Sequence, residues 1–347
     1  MIEEGNIIDS AQGNGTAYSG DDSPVPRRHT QDLIETIRES ADKLARDGST
    51  RGDLKIISRT LRELRYAFKV FAPFRNRRKV TVFGSARTMP EDPAYQQAIQ
   101  FGSTMAQREW MIITGAASGI MEAGHRGAGR THSMGLNIML PFEQSANDVI
   151  AGDDKLVHMK YFFTRKLMFV KECDAVVCLP GGFGTLDEAL EVLTLLQTGK
   201  HDAMPVVLLD APGGTYWQSL HQFIVEQLLH GGMISVEDLN LYRITDSCQD
   251  AANEILRFYD VYHSMRYVKN QLVIRLNREL NSDRLDAINE QFTDIILEGR
   301  FTQSAALPAE RDETHLSEKP RLSFQFNRRN HGRLRQLIDF LNQPEAV

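Results

Sequence analysis

The chain has 347 residues, 41% hydrophobic and 25% charged, and a formal net charge of -6. This is ordinary soluble composition, with length for one large domain plus attachments or for two domains. The negative total excludes a nucleic-acid binder working by bulk electrostatics, and three cysteines without a CxxC pair exclude a disulfide framework and indicate a reducing compartment.

Residues 1–29 open with MIEEGNIIDS and are rich in Gly, Ser, Asp and Asn. No basic n-region followed by an apolar h-region occurs there, so no secretion signal is expected. The composition reads as a flexible tail. Over residues 30–75 the pattern is helical. Leu33, Ile37 and Leu44 form one apolar stripe and Leu54, Ile57, Leu61 and Leu64 another, predicting a helical pair ended by Pro73. No apolar run reaches the roughly 18 residues of a membrane helix, so no membrane partner is expected and the protein reads as cytoplasmic.

From residue 76 to 260 short apolar runs alternate with helical spacing. The runs are Lys79–Ala86, Met111–Gly119, Gly135–Leu140, Leu156–Tyr161, Ala175–Pro180, Pro205–Asp210 and Leu241–Thr245. Such alternation predicts an α/β fold, a doubly wound parallel sheet covered on both faces. Its ligand crevice lies at the carboxyl ends of the strands. Residues 261–347 break the rhythm and read as a small α+β accessory region, with a polar linker at 302–320.

The most telling stretch is CLPGGFGTLDE, Cys178–Glu188. A strand leads through Pro180, Gly181, Gly182 and Gly184 into a helix beginning at Thr185. Leu186, Ala189, Leu190, Leu193 and Leu196 form that helix's apolar face. Glycines let a ligand approach the backbone amides, and a helix start presents unpaired N–H donors with partial positive charge. The combination suits a phosphate, although the same turn would serve merely to join strand to helix. A second glycine turn, Gly115-Ala-Ala-Ser-Gly119 with Ser118 inside it, also opens a helix. The two turns would face one nucleotide-sized crevice. The G-x-x-x-G spacing and the missing acid at the next strand's end exclude the NAD fingerprint, and no GxxxxGK[ST] is present.

Glu188 falls three residues after Thr185, in the expected first turn, where the helix dipole favours its ionised form. It suits a developing cation or a water in need of a base. It would equally suit a T-x-x-E capping box with Thr185. Arg165 and Lys166 begin the preceding helix, against the dipole, and either reach the same crevice or form a solvated pair.

PGGFGT followed by Glu188, joined to Arg165-Lys166, the Gly115–Gly119 turn and the opening FGSAR with Gly84 and Ser85, resembles the LOG family. These are cytokinin riboside 5'-monophosphate phosphoribohydrolases, whose bacterial members are often labelled AMP nucleosidase or lysine decarboxylase. The resemblance covers about residues 79–259. It implies a Rossmann-like fold and a homodimer or higher homo-oligomer with sites near the subunit interface. It also implies hydrolysis of a nucleoside 5'-monophosphate to free base and ribose 5-phosphate. Arg165 and Glu188 match the family's catalytic pair; Gly181, Gly182, Gly184 and Thr185 match its phosphate loop. Phe163-Thr164 stand where the family commonly has His-Glu. No cofactor and no metal are implied; the ten histidines form no HExxH or Cys/His cluster. Lys166, half of a basic pair at a helix start, is ill placed for a pyridoxal Schiff base. The alternative is a non-catalytic carrier of a phosphorylated ligand, similar to molybdenum cofactor carrier proteins. The run Arg321–Arg335, with five arginines and no acid, reads as a solvated basic face, so no nucleic-acid partner is expected.

Overall fold

The computed structural model describes residues 30–139, 145–310 and 312–344. The tail expected over 1–29 lies outside the described residues, as does Leu140 at the end of the third apolar run. The chain divides into two units, residues 1–58 and 59–347. The first holds α1 (Gln31–Arg46) and the start of α2 (Arg51–Phe71). The expected stripe on α2 is corrected. Leu61 is exposed, whereas Glu63, Ala67 and Phe71, four residues apart, are the buried positions.

The second unit is built on seven parallel strands. These are β1 (Lys79–Phe83), β2 (Met111–Thr114), β3 (Ser133–Ile138), β4 (Leu156–Met159), β5 (Ala175–Cys178), β6 (Val206–Leu209) and β7 (Arg243–Thr245), in the order β4-β3-β2-β1-β5-β6-β7. Every residue of β1, β2, β3, β5 and β6 is buried, which explains the apolar and β-branched residues that dominate them, Lys79, Ser133 and Asn137 being the polar exceptions outside Thr. Helices α3 (Pro93–Ala106), α4 (Ile120–His132), α5 (Phe162–Glu172), α6 (Phe183–Gln197), α7 (Tyr216–Phe223) and α8 (Cys248–Phe258) cover both faces. Val80, Val82 and Ile112 pack with Phe101, Met105 and Ile255 on one side. Phe83 and Ile113 pack with Phe169, Val192 and Trp217 on the other. This is the α/β, Rossmann-like doubly wound sheet that the alternation of runs predicts.

The chain runs outward from β1 through β2, β3 and β4, then returns to place β5 on β1's other edge. The strand order therefore reverses between β1 and β5, where open α/β sheets bind their ligands.

Beyond α8, β8 (Tyr262–Val268), β9 (Gln271–Leu276), β10 (Thr302–Ser304) and β11 (Arg321–Phe324) make an antiparallel sheet ordered β10-β11-β9-β8. With α9 (Ser282–Gln291) and α10 (His331–Leu341) it surrounds its own apolar core, including Leu272, Ile274, Phe301, Phe324 and Leu337. Two sequence expectations fail here. The supposed linker 302–320 contains β10 and two short 3-10 turns. The supposed solvated basic face is internal at Arg321 and Arg335 and half-buried at Arg333, while Arg328 and Arg329 are exposed. Arg321 is fully buried and bonds Glu310 at 2.9 Å, Arg333 pairs with Asp294 at 3.0 Å, and Arg335 is buried against Glu254 and Asp339. Apart from Asp339, four residues after Arg335, the acids that satisfy these arginines lie outside the run and elsewhere in the chain.

Candidate active site

Three loops meet at the β1/β5 reversal. The first follows β1, the second follows β2 and the third is the glycine loop after β5. Ser85 N–H donates to the Pro180 carbonyl at 3.2 Å, and Ser85 accepts on its carbonyl from Ile120 N–H at 3.0 Å. Ser118 Oγ donates to the Ala86 carbonyl at 2.9 Å. Asn147 ties down the second loop from outside: its N–H donates to the Ala116 carbonyl at 2.8 Å and its Nδ2 to the Ala117 carbonyl at 3.1 Å. Gly119 is fixed by geometry, having φ +65° and leaving only 2.3 Å between a built Cβ and the Ser85 carbonyl oxygen.

The loops enclose a cleft of about 780 Å³, within the range of small-molecule sites. Gly84, Ser85, Gly115, Arg165, Gly181, Gly182, Gly184, Thr185 and Glu188 all reach its wall. Ser118, Gly119 and Lys166 do not. The first two stitch the loops together, as above. The third has a different employment, described below.

The glycine loop departs from the sequence expectation at its helix. α6 starts at Phe183 with Gly182 as N-cap and no side-chain cap. Thr185 is thus the third helical residue, and the T-x-x-E capping box does not form. Glu188 is in the second turn. Leu190 is exposed, and Val192 takes its place among the buried positions. The early start suits an anion better than the expected one. The amides of Phe183 and Gly184 have no intrahelical partner at this end, and a Cβ built on Gly182 or Gly184 meets nothing within 4 Å. By contrast, a Cβ on Gly181 would lie 2.2 Å from Thr185 Oγ1, so Gly181 is needed for packing.

The Tyr216 hydroxyl donates to the Gly181 carbonyl at 2.7 Å. A trans peptide places its C=O and the following N–H on opposite sides. Tying the carbonyl to α7 therefore turns the Gly182 N–H the other way. Nothing near Gly181 in sequence signals Tyr216.

Glu188 is only 5% exposed, and its Oε2 has no hydrogen-bond partner among the described residues. Burial pushes its carboxyl up to about 7, opposed by the positive charges of Lys166 and Arg165. The ionised state expected from the helix dipole is therefore corrected to one balanced near neutrality. Burial outweighs a dipole effect worth up to about 1 kcal/mol at a helix start. Arg165 stacks over Phe162 and Phe169, at 5.1 and 5.5 Å from the ring centres, with its buried Nε unpartnered among the described residues. Burial lowers its pKa while Glu188 raises it.

Lys166 Nζ bonds Asp187 Oδ2 at 2.8 Å and Glu191 Oε2 at 2.5 Å, with Glu188 Oε2 at 3.9 Å. Despite desolvation, these acids hold its pKa above the usual lysine value. The sequence expectation that Lys166 contacts a ligand gives way to one of holding α5 to α6 beside Glu188.

The start of α5 has no side-chain cap of its own. Glu63, buried on α2, braces it from a distance: Oε1 accepts from Lys160 N–H, just ahead of the helix, and Oε2 from Thr164 Oγ1, each at 2.8 Å. Arg59 Nε also donates to Oε1 at 2.8 Å. Thr164 is one of the two positions where the sequence departs from its family pattern, and here it is held by a carboxylate 101 positions earlier.

A family model described as possible lysine decarboxylase matches residues 113–255. Cytokinin riboside 5'-monophosphate phosphoribohydrolase LOG3 of Arabidopsis thaliana is 34% identical over 165 residues, 46% of this chain and 72% of that protein. The LOG7 protein of the same plant, with the same enzyme name, is 37% identical over 151 residues, 41% of this chain and 65% of its own length. The matched segment thus spans about two thirds of these relatives and less than half of this chain. A solved molybdenum cofactor carrier protein of Chlamydomonas reinhardtii is 19% identical, covering 52% of this chain and 98% of that one, with a TM-score of 0.37. With a cleft at the strand reversal, a glycine-lined helix start, and Arg165 and Glu188 on one wall, the chain belongs to the LOG family of cytokinin riboside 5'-monophosphate phosphoribohydrolases.

Proposed function

We propose that the protein hydrolyses the N-glycosidic bond of a nucleoside 5'-monophosphate, AMP or a cytokinin riboside monophosphate, to free base and ribose 5-phosphate. The observation that carries this reading is Glu188. A buried carboxyl, raised to about 7 and with one oxygen unpartnered among the described residues, lies in the same cleft as the open amides of the glycine loop. A group so tuned near operating pH suits acid–base work.

In this scheme the 5'-phosphate is held at Gly182, Gly184 and Thr185, so that its binding energy positions the ribose. The bond from C1' to the base nitrogen breaks, and positive charge develops on the sugar. Glu188 in its carboxylate form faces that charge and takes a proton from the attacking water, whose oxygen bonds C1'. Glu188 then passes that proton to the departing base nitrogen and returns to its carboxylate form. Arg165 stabilises the carboxylate form of Glu188 and orients phosphate or water.

A carrier of a phosphorylated ligand would need the glycine loop but has no use for a buried acid poised near neutrality. Decarboxylation through a pyridoxal Schiff base needs a lysine that can lose its proton. Lys166 is held the opposite way by two carboxylates, so the residues present do not fit that cofactor. Phe162 and Phe183, 51% and 93% exposed on the cleft wall, and Phe163, 52% exposed beside Phe162, support self-association of the chain, testable by its mass in solution. The hydrolase reading is tested by incubating the protein with AMP and other nucleoside monophosphates. Release of free base together with ribose 5-phosphate is expected. No base from any of them, with binding retained, would favour the carrier.

A further inference from the structure

The cleft's described wall carries three charged side chains, Arg87, Arg165 and Glu188. Two are engaged with each other's neighbourhood: Arg165 is packed between two phenylalanine rings and interacts electrostatically with Glu188. Lys166, the nearby lysine, is held by Asp187 and Glu191 and is absent from the wall. That leaves a bound phosphate, close to a dianion at neutral pH, facing neutral glycine amides, one threonine and an Arg165 whose charge is already opposed by Glu188. Such amides contribute only partial charges, so the dianion calls for a second cation.

Arg87 supplies it. Its side chain is exposed, lines the cleft, and makes no ion pair or hydrogen bond among the described residues. Its backbone is fixed: Arg87 N–H donates to Ser85 Oγ at 3.0 Å, and Ser85 N–H is bonded to Pro180 at the root of the glycine loop. The guanidinium is therefore carried on a stage joined to the phosphate loop itself. An unpaired planar fork of donors is matched to phosphate oxygens.

We infer that Arg87 closes over the 5'-phosphate held by the glycine loop, and so makes the site selective for phosphorylated over unphosphorylated ribosides. This rests on the proposed reading of the cleft. Arg87 binds the part of the substrate that does not react, so it acts on affinity and not on the chemical step.

The test uses the full chain, with ribose 5-phosphate as probe by calorimetry and AMP in steady-state turnover. Loss of one charge-assisted contact predicts that Arg87→Gln weakens ribose 5-phosphate binding about 10- to 100-fold. KM for AMP should rise correspondingly while kcat stays within about twofold. Arg87→Lys should recover part of the loss, and neither change should move the melting temperature. Wild-type affinity in Arg87→Gln, or a fall in kcat with KM unchanged, overturns the role of Arg87 alone. A wild-type protein that fails to bind ribose 5-phosphate overturns both Arg87 and the reading of the glycine loop.

Discussion

Lys166 Nζ stands 3.9 Å from Glu188 Oε2 while bonding Asp187 and Glu191 at 2.8 and 2.5 Å. The ammonium is close enough to pull Glu188 toward its charged form, yet is kept out of the cleft by two other acids. Replacing it by methionine removes the first of the opposing charges on Glu188. The carboxyl should then titrate about one unit higher, and the pH at which turnover reaches half its maximum should rise with it. An unmoved pH profile would separate Lys166 from the titration of Glu188.

Glu188 itself gives a pH prediction with a defined sign. Its folded pKa, about 7, lies above the ordinary 4.5. Between those values the folded chain holds a proton that the unfolded chain has released, so this residue's effect lowers stability as pH rises through the window. Fully developed, the effect is about 3 kcal/mol. Glu188→Gln should therefore be more stable than wild type at pH 8 and should converge on it at pH 4, by denaturant melts. Turnover needs the carboxylate, so kcat/KM in wild type should rise through pH 7; a fall across that range would make Glu188 an acid instead.

Glu63 tests how α5 is held. Its hydrogen bonds hold its pKa below the usual glutamate value, so its contribution to stability is present above pH 4.5 and lost as pH falls through the folded pKa. Glu63→Ala leaves Lys160 N–H without its acceptor and Thr164 Oγ1 with only the Tyr161 carbonyl at 2.8 Å. A loss of about 3 kcal/mol is expected at neutral pH, with reduced kcat because Arg165 follows Thr164. Denaturant titration together with turnover checks both; unchanged kcat at full folding would limit Glu63 to stability.

The glycines of one loop should behave differently. Gly182→Val places its side chain in open space, so the melting temperature should be nearly unchanged while monophosphate binding is abolished. Gly181→Ala collides with Thr185 and should lower stability. Tyr216→Phe, losing a bond of 2.7 Å to the Gly181 carbonyl, should cost about 1 kcal/mol of stability and weaken binding several-fold. Full affinity in Gly182→Val would reduce the loop to a structural turn.

The legible part of this protein was local. Apolar runs such as AVVC and VVLL can be nothing but buried strands once helical stretches separate them, and glycines between strand and helix mark the ligand end of a sheet. The illegible part was made by residues distant in sequence. Glu63 holds the Thr164 hydroxyl 101 positions away, Tyr216 orients the Gly181 peptide, and Glu310 neutralises Arg275 and Arg321 inside the accessory sheet. The state of Glu188 departs from the expectation set by its position for a related reason. Its dipole is a local property readable from position, whereas its burial depends on how three loops converge.

If amides at the β1/β5 reversal grip a 5'-phosphate while Glu188 attends C1', ribose 5-phosphate release from AMP and cytokinin riboside monophosphates, measured in parallel for wild type and Glu188→Gln with substrate binding on both, will differ between the two. Wild type should release the sugar phosphate, both proteins should bind substrate, and turnover should be lower by at least about 100-fold in the variant. Equal release by the two proteins would remove Glu188 from the chemistry.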